Sequence, residues 1–170
     1  MMATTAPQQK LSKAAQTPTL VVGLGSAHGD DRLGWLVAQH LGASITDDAT
    51  TIRVARSPAD LFVWLDGIES LMICDACENL GSPGAIHCWR WPDVPRGALR
   101  AAGTHDLGLG AVLELAEHLH LLPAETLIWC VETETPQPGA PISAAIEVEA
   151  IRAAQMILST QWAAKLQSTG

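Results

Sequence analysis

The chain has 170 residues, a formal net charge of −8 and 48% hydrophobic residues. This length and composition suit one globular domain with a full-sized core. The ten lysines and arginines form no cluster, and an acidic surface repels phosphate backbones, so the composition argues against a nucleic-acid partner. No apolar stretch reaches the length of a membrane span, and we expect no membrane insertion.

The first 18 residues differ in character from the rest of the chain. They contain no acidic residue and no apolar run, which predicts a disordered tail over residues 1–18. A secretory signal peptide needs an apolar core, so we expect a cytoplasmic protein. The Ala- and Thr-rich composition is also compatible with a transit peptide, although the segment has no arginine. Residues 19–166 are predicted to form a single α/β domain.

Short apolar segments alternate with helical patterns along the chain. The predicted strands cover residues 19–25, 51–55, 70–76, 85–91 and 126–131. The spacing of apolar residues and the capping signals predict helices at 33–41, 57–66, 106–121 and 142–165. Strands that alternate with helices are typical of βαβ units. We therefore predict a three-layer α/β sandwich, with a mostly parallel, twisted five-stranded sheet flanked by helices.

A glycine-rich turn follows the first predicted strand. It begins with Gly23-Leu-Gly25, the first half of a dinucleotide-binding fingerprint, but His28 stands where that fingerprint needs its third glycine. The second strand ends without an acid for a ribose hydroxyl, and Asp30 and Asp31 would repel a pyrophosphate. Nucleotide binding is therefore only a minor alternative for this turn.

Polar side chains stand where several predicted strands end or where a helix begins. They are Asp30, Asp31, Asp75, His105, Glu132 and Glu134. Because the carboxyl ends of parallel strands meet at one edge of a sheet, we expect these groups to converge there. Two carboxylates and one imidazole would form a transition-metal site with positions left open for a substrate.

Several of these residues also have a purely structural explanation. Asp30 or Asp31 can cap the helix that follows the turn. Asp75 can accept hydrogen bonds from backbone amides at its strand end. His105 can belong to the N-terminal cap of the long helix, and His28 is interpreted as a loop residue.

The four cysteines are interpreted as reduced thiols. Cys74, Cys88 and Cys130 lie inside apolar runs, as buried cysteines do. Cys74 and Cys77 form a Cys-x-x-Cys, but no second pair completes a structural zinc site. A redox motif would open a helix from a loop, whereas Cys74 lies in a predicted strand. We therefore expect buried thiols here.

Several motifs occur together in a fixed order. They are Gly23-Leu-Gly-Ser26 running on to Asp30-Asp31-Arg-Leu-Gly34, then Asp75-Ala76, then His105-Asp-Leu-Gly108, and finally a strand followed by Glu132 and Glu134. In this order and spacing the chain resembles the hydrogenase maturation proteases, from Thr19 to about Leu158. It departs from that family in having Ser26 for the usual Asn, Asp31 for the frequent Glu, and a turn one residue shorter.

The resemblance implies an endopeptidase that removes the C-terminal extension of a nickel–iron hydrogenase large-subunit precursor after nickel insertion. It implies that Asp31, Asp75 and His105 are both the catalytic and the metal-binding residues, with the nickel supplied by the precursor. A non-catalytic nickel-binding or metallochaperone module on the same scaffold is the alternative. The sequence leaves open the oligomeric state, the cleavage position, and whether Asp30 or His28 joins the site.

Overall fold

The computed structural model describes residues 17–27, 29–99, 107–133 and 143–162. The strands are β1 (Thr19–Leu24), β2 (Thr50–Ala55), β3 (Ser70–Cys77), β4 (Ile86–Arg90) and β5 (Glu125–Glu132). The α-helices are α1 (Leu33–Ser44), α2 (Leu109–His118) and α3 (Ala144–Ile157). Two 3-10 helices, at Gly29–Arg32 and Pro58–Val63, and a π-helical turn at Leu158–Trp162 complete the described elements.

The strands form one sheet in the order β2-β1-β3-β5-β4. Strands β2, β1, β3 and β5 are parallel, and β4 pairs antiparallel with β5 at the edge. The three central strands are buried almost throughout, as expected for parallel strands with both faces covered. The predicted fold, a mostly parallel five-stranded sheet flanked by helices, is confirmed.

Each face of the sheet packs against its own set of helices. Helices α1 and α3 pack together on one face, in a core cluster that includes Val21, Met72 and Trp129. Helix α2 and the 3-10 helix Pro58–Val63 cover the other face, in a cluster that includes Ile73 and Cys77. Because side chains alternate along a strand, Asp75 lies on the same face of β3 as Ile73 and Cys77, the α2 face.

Two helices differ from the sequence-based expectation. The second predicted helix is a short 3-10 helix, in which the Ser57 hydroxyl and the Asp60 carboxylate form a capping box at the N-terminus. A capping box can begin an α-helix or a 3-10 helix, so this sequence signal does not show which of the two forms. Helix α2 ends at His118, short of its predicted end, because His120 adopts a positive φ of 56° that an α-helix does not allow.

The cysteines follow the prediction with one exception. Cys74, Cys77 and Cys130 are buried and all four thiols are free. Cys88 is exposed, because β4 lies at the edge of the sheet and, among the described elements, contacts mainly β5 rather than a covering helix. The expectation that Cys88 is a core residue was therefore wrong.

Apart from residues 17 and 18, the predicted tail lies outside the described ranges, as does the end of the predicted domain. Residues 1–16 and 163–170 are not among those the structure describes, so the disordered tail and the domain boundaries stay predictions. None of the described helices has the length and apolar character needed to cross a membrane.

Candidate functional site

The turn after β1 folds back tightly against the end of its strand. We call residues 25–32 the β1 turn, of which His28 lies outside the described residues. The Ser26 N–H donates a hydrogen bond of 3.2 Å to the Asp31 carbonyl oxygen. A Cβ atom on Gly25 would overlap that same oxygen. Glycine is therefore required for the backbone of Asp31 to approach this closely.

The first turn of α1 is pressed against two strands. A Cβ atom on Gly34 would overlap the carbonyl oxygens of Leu24 in β1 and Cys74 in β3. Glycine at this position lets the helix backbone touch both strand ends. The contact fixes the β1 turn relative to the end of β3.

The two predicted carboxylate ligands lie at the same edge of the sheet. Strands β1 and β3 are neighbours in parallel register, with Gly23 opposite Cys74, and the 3-10 helix Gly29–Arg32 that carries Asp31 contacts β3. Asp31 and Asp75 are both half-buried. The Asp75 Oδ1 atom accepts a hydrogen bond of 2.8 Å from the following amide, Ala76 N–H. This bond is the backbone contact that the structural explanation of Asp75 anticipated, and it leaves the second carboxylate oxygen to other contacts.

Asp30, the acid next to Asp31, contacts the start of α3. Its carboxylate accepts a hydrogen bond of 3.1 Å from the backbone N–H of Ser143, and the Ser143 hydroxyl lies 3.5 Å from the other oxygen. Ser143 is the N-cap of α3, so Asp30 ties the β1 turn to the start of that helix. The N-cap of α1 is Arg32, which makes no capping side-chain bond.

Three residues considered from the sequence lie outside the described ranges. They are His28, His105 and Glu134. The predicted convergence of His105 with Asp31 and Asp75 therefore stays a prediction. In the sequence His105 precedes Leu109, the first residue of α2, by four positions. Helix α2 packs on the face to which Asp75 belongs.

A second group of candidate ligands lies beside Asp75, and we call it the thiol cluster. It consists of Cys77, His87 and Glu132, whose potential ligand atoms all lie within 4.8 Å of one another. Cys77 and Glu132 are register partners on β3 and β5, and His87 lies on β4 opposite Cys130. Three strands therefore contribute one ligand each.

The loop after β3 closes over the thiol cluster. We call residues 78–84 the β3 loop. The Leu80 N–H lies 3.2 Å from both carboxylate oxygens of Glu132, and the Cys77 thiol lies 3.5 Å from one of them. The Gly84 N–H donates to the Glu132 carbonyl oxygen at 2.8 Å. The loop thus depends on Glu132 through both its side chain and its backbone.

Two further buried thiols lie near these carboxylates. A hydrogen bond with Cys77, together with burial, raises the pKa of the Cys130 thiol. Burial, with a smaller contribution from the charge of Asp75, raises the pKa of the Cys74 thiol. Both therefore remain protonated near neutral pH in the metal-free protein. Among the described residues, neither belongs to the group of ligand atoms that lie within 4.8 Å of one another.

The thiol cluster was not predicted from the sequence. The sequence pattern indicates a buried thiol at Cys77 and an acid at a strand end for Glu132, and it assigns no role to His87. The alternation of His87 with Trp89 in the sequence indicates only that these two side chains share one face of their strand. The two rings stack with centroids 5.3 Å apart.

A cleft of about 240 Å³ lies at this edge of the sheet. It is lined by residues of the β1 turn, the β3 loop and the start of α3, including Asp30, Glu132 and Ser143. Two larger surface cavities, of about 710 and 790 Å³, are lined by other parts of the chain. The chemistry of the carboxylates and the thiol, rather than cavity size, points to the edge as the functional site.

Comparison with known proteins gives a consistent result. A family model described as hydrogenase maturation protease (HycI) matches residues 55–160. No curated protein sequence matches. Among solved structures, the chain is similar to the hydrogenase maturating endopeptidase HybD from E. coli, with 21% identity and a TM-score of 0.71 over 87% of this chain and 94% of that one. It is also similar to the [NiFe] hydrogenase maturation protease HycI from Thermococcus kodakarensis, with 19% identity and a TM-score of 0.68 over 86% of this chain and 93% of that one.

Proposed function

Because the chain belongs to the hydrogenase maturation protease family, and is therefore a protease, we propose that its substrate is the large-subunit precursor of a nickel–iron hydrogenase. It removes the C-terminal extension of that precursor after nickel has been inserted. The reaction takes place in the cytoplasm.

The observation that carries the proposal is the position of Asp75 beside the β1 turn. Asp75 lies two residues before the end of β3, the strand next to β1. The 3-10 helix that carries Asp31 contacts that strand. The backbone contacts of Gly34 hold this arrangement in place. Both carboxylates are half-buried, so each is supported by the protein on one side and accessible to a substrate on the other.

In this proposal Asp31, Asp75 and His105 bind the nickel that the precursor brings. Carboxylate oxygens and an imidazole nitrogen suit that ion, and a precursor without nickel would lack the bridging contact. The nickel is thus part of the substrate and reports that insertion is complete. A carboxylate at this edge is also suited to accept the proton of the water that attacks the scissile peptide bond.

The proposal is tested by incubating purified protein with nickel-loaded precursor and following cleavage by mass spectrometry. We expect Asp75→Asn and His105→Ala each to slow cleavage by about 10²-fold or more, the effect usual for loss of a positioned acid–base or metal-binding group. We also expect the wild-type protein to leave nickel-free precursor uncut.

Asp66→Asn provides the matched control. Asp66 is exposed and precedes the start of β3, at the opposite end of that strand from Asp75, so cleavage by this variant should match the wild type. If Asp75→Asn and His105→Ala both cleave the precursor at the wild-type rate, the proposed site is wrong. Tight nickel binding without any cleavage would favour the metallochaperone alternative.

A further inference from the structure

The thiol cluster has the donor set of a metal site, and the proposed function does not use it. Its donors are a thiol sulfur, an imidazole nitrogen and a carboxylate oxygen, all within 4.8 Å of one another. In a tetrahedral zinc site such donors lie about 3.5 Å apart, given metal–ligand bonds of about 2.0 to 2.3 Å. Side-chain shifts of about 1 Å would therefore close the cluster around one ion.

The imidazole of His87 supplies an independent sign of a missing partner. Its Nε2 atom is buried and has no hydrogen-bond partner among the residues that the structure describes. Gly81 of the β3 loop covers the ring, since a Cβ atom there would lie 3.8 Å from Nε2. A buried ring nitrogen without a partner loses its hydration without compensation. Coordination to a cation would supply the partner.

The carboxylate of Glu132 points to the same conclusion. It is 4% exposed and receives hydrogen bonds from the Leu80 N–H and the Cys77 thiol. Within the described ranges no lysine or arginine pairs with it. Buried carboxylates are ordinarily paired with a cation or ligate a metal.

We propose that Cys77, His87 and Glu132 bind a single divalent cation of the zinc class, in a site separate from Asp31, Asp75 and His105. On binding, the Cys77 thiol releases its proton to solvent and its sulfur becomes a ligand. A thiolate beside an imidazole selects a borderline ion such as Zn²⁺ over Mg²⁺ or Ca²⁺, which prefer oxygen ligands. Water fills the fourth position.

The ion would bind at the same end of the sheet as Asp75, the end where the parallel strands terminate. Its ligands come from β3, β4 and β5, so it would join the antiparallel edge strand β4 to its neighbour β5 and to β3 beyond it. Glu132 also holds the β3 loop. The site would therefore stabilise the region where the β3 loop passes the ends of β3, β5 and β4.

The test uses the whole protein without any precursor, so its outcome is independent of the proposed protease function. Chelator-treated protein is titrated with Co²⁺, a spectroscopic substitute for Zn²⁺, and the thiolate-to-cobalt charge-transfer absorption is recorded. Zn²⁺ affinity is then measured by competition with a chromophoric chelator. We expect one equivalent of metal and a charge-transfer band in the wild type.

The variants locate the ion. Cys77→Ser should lose the band, and His87→Gln should bind Zn²⁺ at least about tenfold more weakly, since changes even outside the direct ligands often cost that much. Cys88→Ser, which removes the exposed thiol of β4, and Asp75→Asn should both keep the band. Circular dichroism checks that each variant folds. If Cys77→Ser does not fold, the Zn²⁺ affinity of His87→Gln serves as the test.

Two results would overturn the proposal. One is wild-type protein that shows no charge-transfer band at saturating Co²⁺. The other is a band that survives in Cys77→Ser or, where that variant does not fold, unchanged Zn²⁺ affinity in His87→Gln.

Discussion

The β1 turn and the β3 loop leave the same edge of the sheet, but different forces hold them. The β1 turn is held by close backbone contacts: Gly25 lies against the carbonyl oxygen of Asp31, and Gly34 lies against those of Leu24 and Cys74. The β3 loop is held by contacts with Glu132: the carboxylate accepts a hydrogen bond from the Leu80 N–H, and the carbonyl oxygen accepts one from the Gly84 N–H.

This difference has a functional consequence. A turn fixed by backbone packing keeps Asp31 in one place whether or not a substrate is bound, as a pre-organised ligand requires. A loop held by a carboxylate depends on what else that carboxylate binds. A cation on Glu132 would therefore affect the β3 loop and leave the β1 turn unchanged.

The largest expected effect comes from filling the space at Gly34. A Cβ atom would overlap two main-chain carbonyl oxygens, which cannot move without displacing β1 or β3. We expect Gly34→Ala to lower the free energy of unfolding by more than about 4 kcal/mol, a size reserved for severe steric or packing defects. Urea unfolding followed by circular dichroism measures it.

Two other glycines serve as controls for this prediction. Gly42 lies in the same helix, where a Cβ atom would meet only the Ile52 Cδ1 atom at 3.7 Å, so Gly42→Ala should stabilise the protein by about 0.5 to 1 kcal/mol. Gly81 of the β3 loop also has room, and Gly81→Ala should change stability by less than about 0.5 kcal/mol. A Gly34→Ala variant as stable as Gly81→Ala would contradict the contrast between the two loops.

The sequence predicted the backbone-held part of the edge better than the part held by side chains. Strand β1 is a continuous apolar run that leads into a glycine turn, and β3 is an apolar run interrupted by Asp75 near its end. Such runs indicate buried parallel strands whatever their neighbours are. The family resemblance then directed attention to Asp31 and Asp75. The first signal is local in the sequence, and the second is the order of motifs along the chain.

The thiol cluster depends on which strands become neighbours. His87 meets Cys77 and Glu132 only because β4 pairs antiparallel with β5 and β5 pairs with β3. The exposure of Cys88 has the same origin, since it follows from the edge position of β4. Local spacing carries no information on strand order, so neither feature could be predicted from it.

An intermediate effect is expected from removing the Glu132 carboxylate in metal-free protein. Glu132→Ala leaves the Leu80 N–H without its acceptor, and we expect a loss of about 2 kcal/mol of stability. Glu132→Gln keeps an oxygen acceptor and should lose about half as much. Hydrogen exchange should show faster exchange of the Leu80 amide in the alanine variant, with the amides of β1 unaffected. Unchanged protection at Leu80 would mean that the β3 loop is held by other contacts.

The smallest expected effect on stability comes from removing Asp30, and it distinguishes the role of Asp30 from that of Asp31, the adjacent acid of the β1 turn. Asp30 accepts a hydrogen bond from the Ser143 N–H at the start of α3. A negative charge at this position also interacts favourably with the helix dipole. We expect Asp30→Ala to lower stability by about 0.5 to 1 kcal/mol in thermal unfolding and to cleave nickel-loaded precursor at the wild-type rate. Asp31→Ala should instead lose cleavage. If Asp30→Ala keeps full stability and loses cleavage, then Asp30 contacts the nickel and the roles of the two acids must be exchanged.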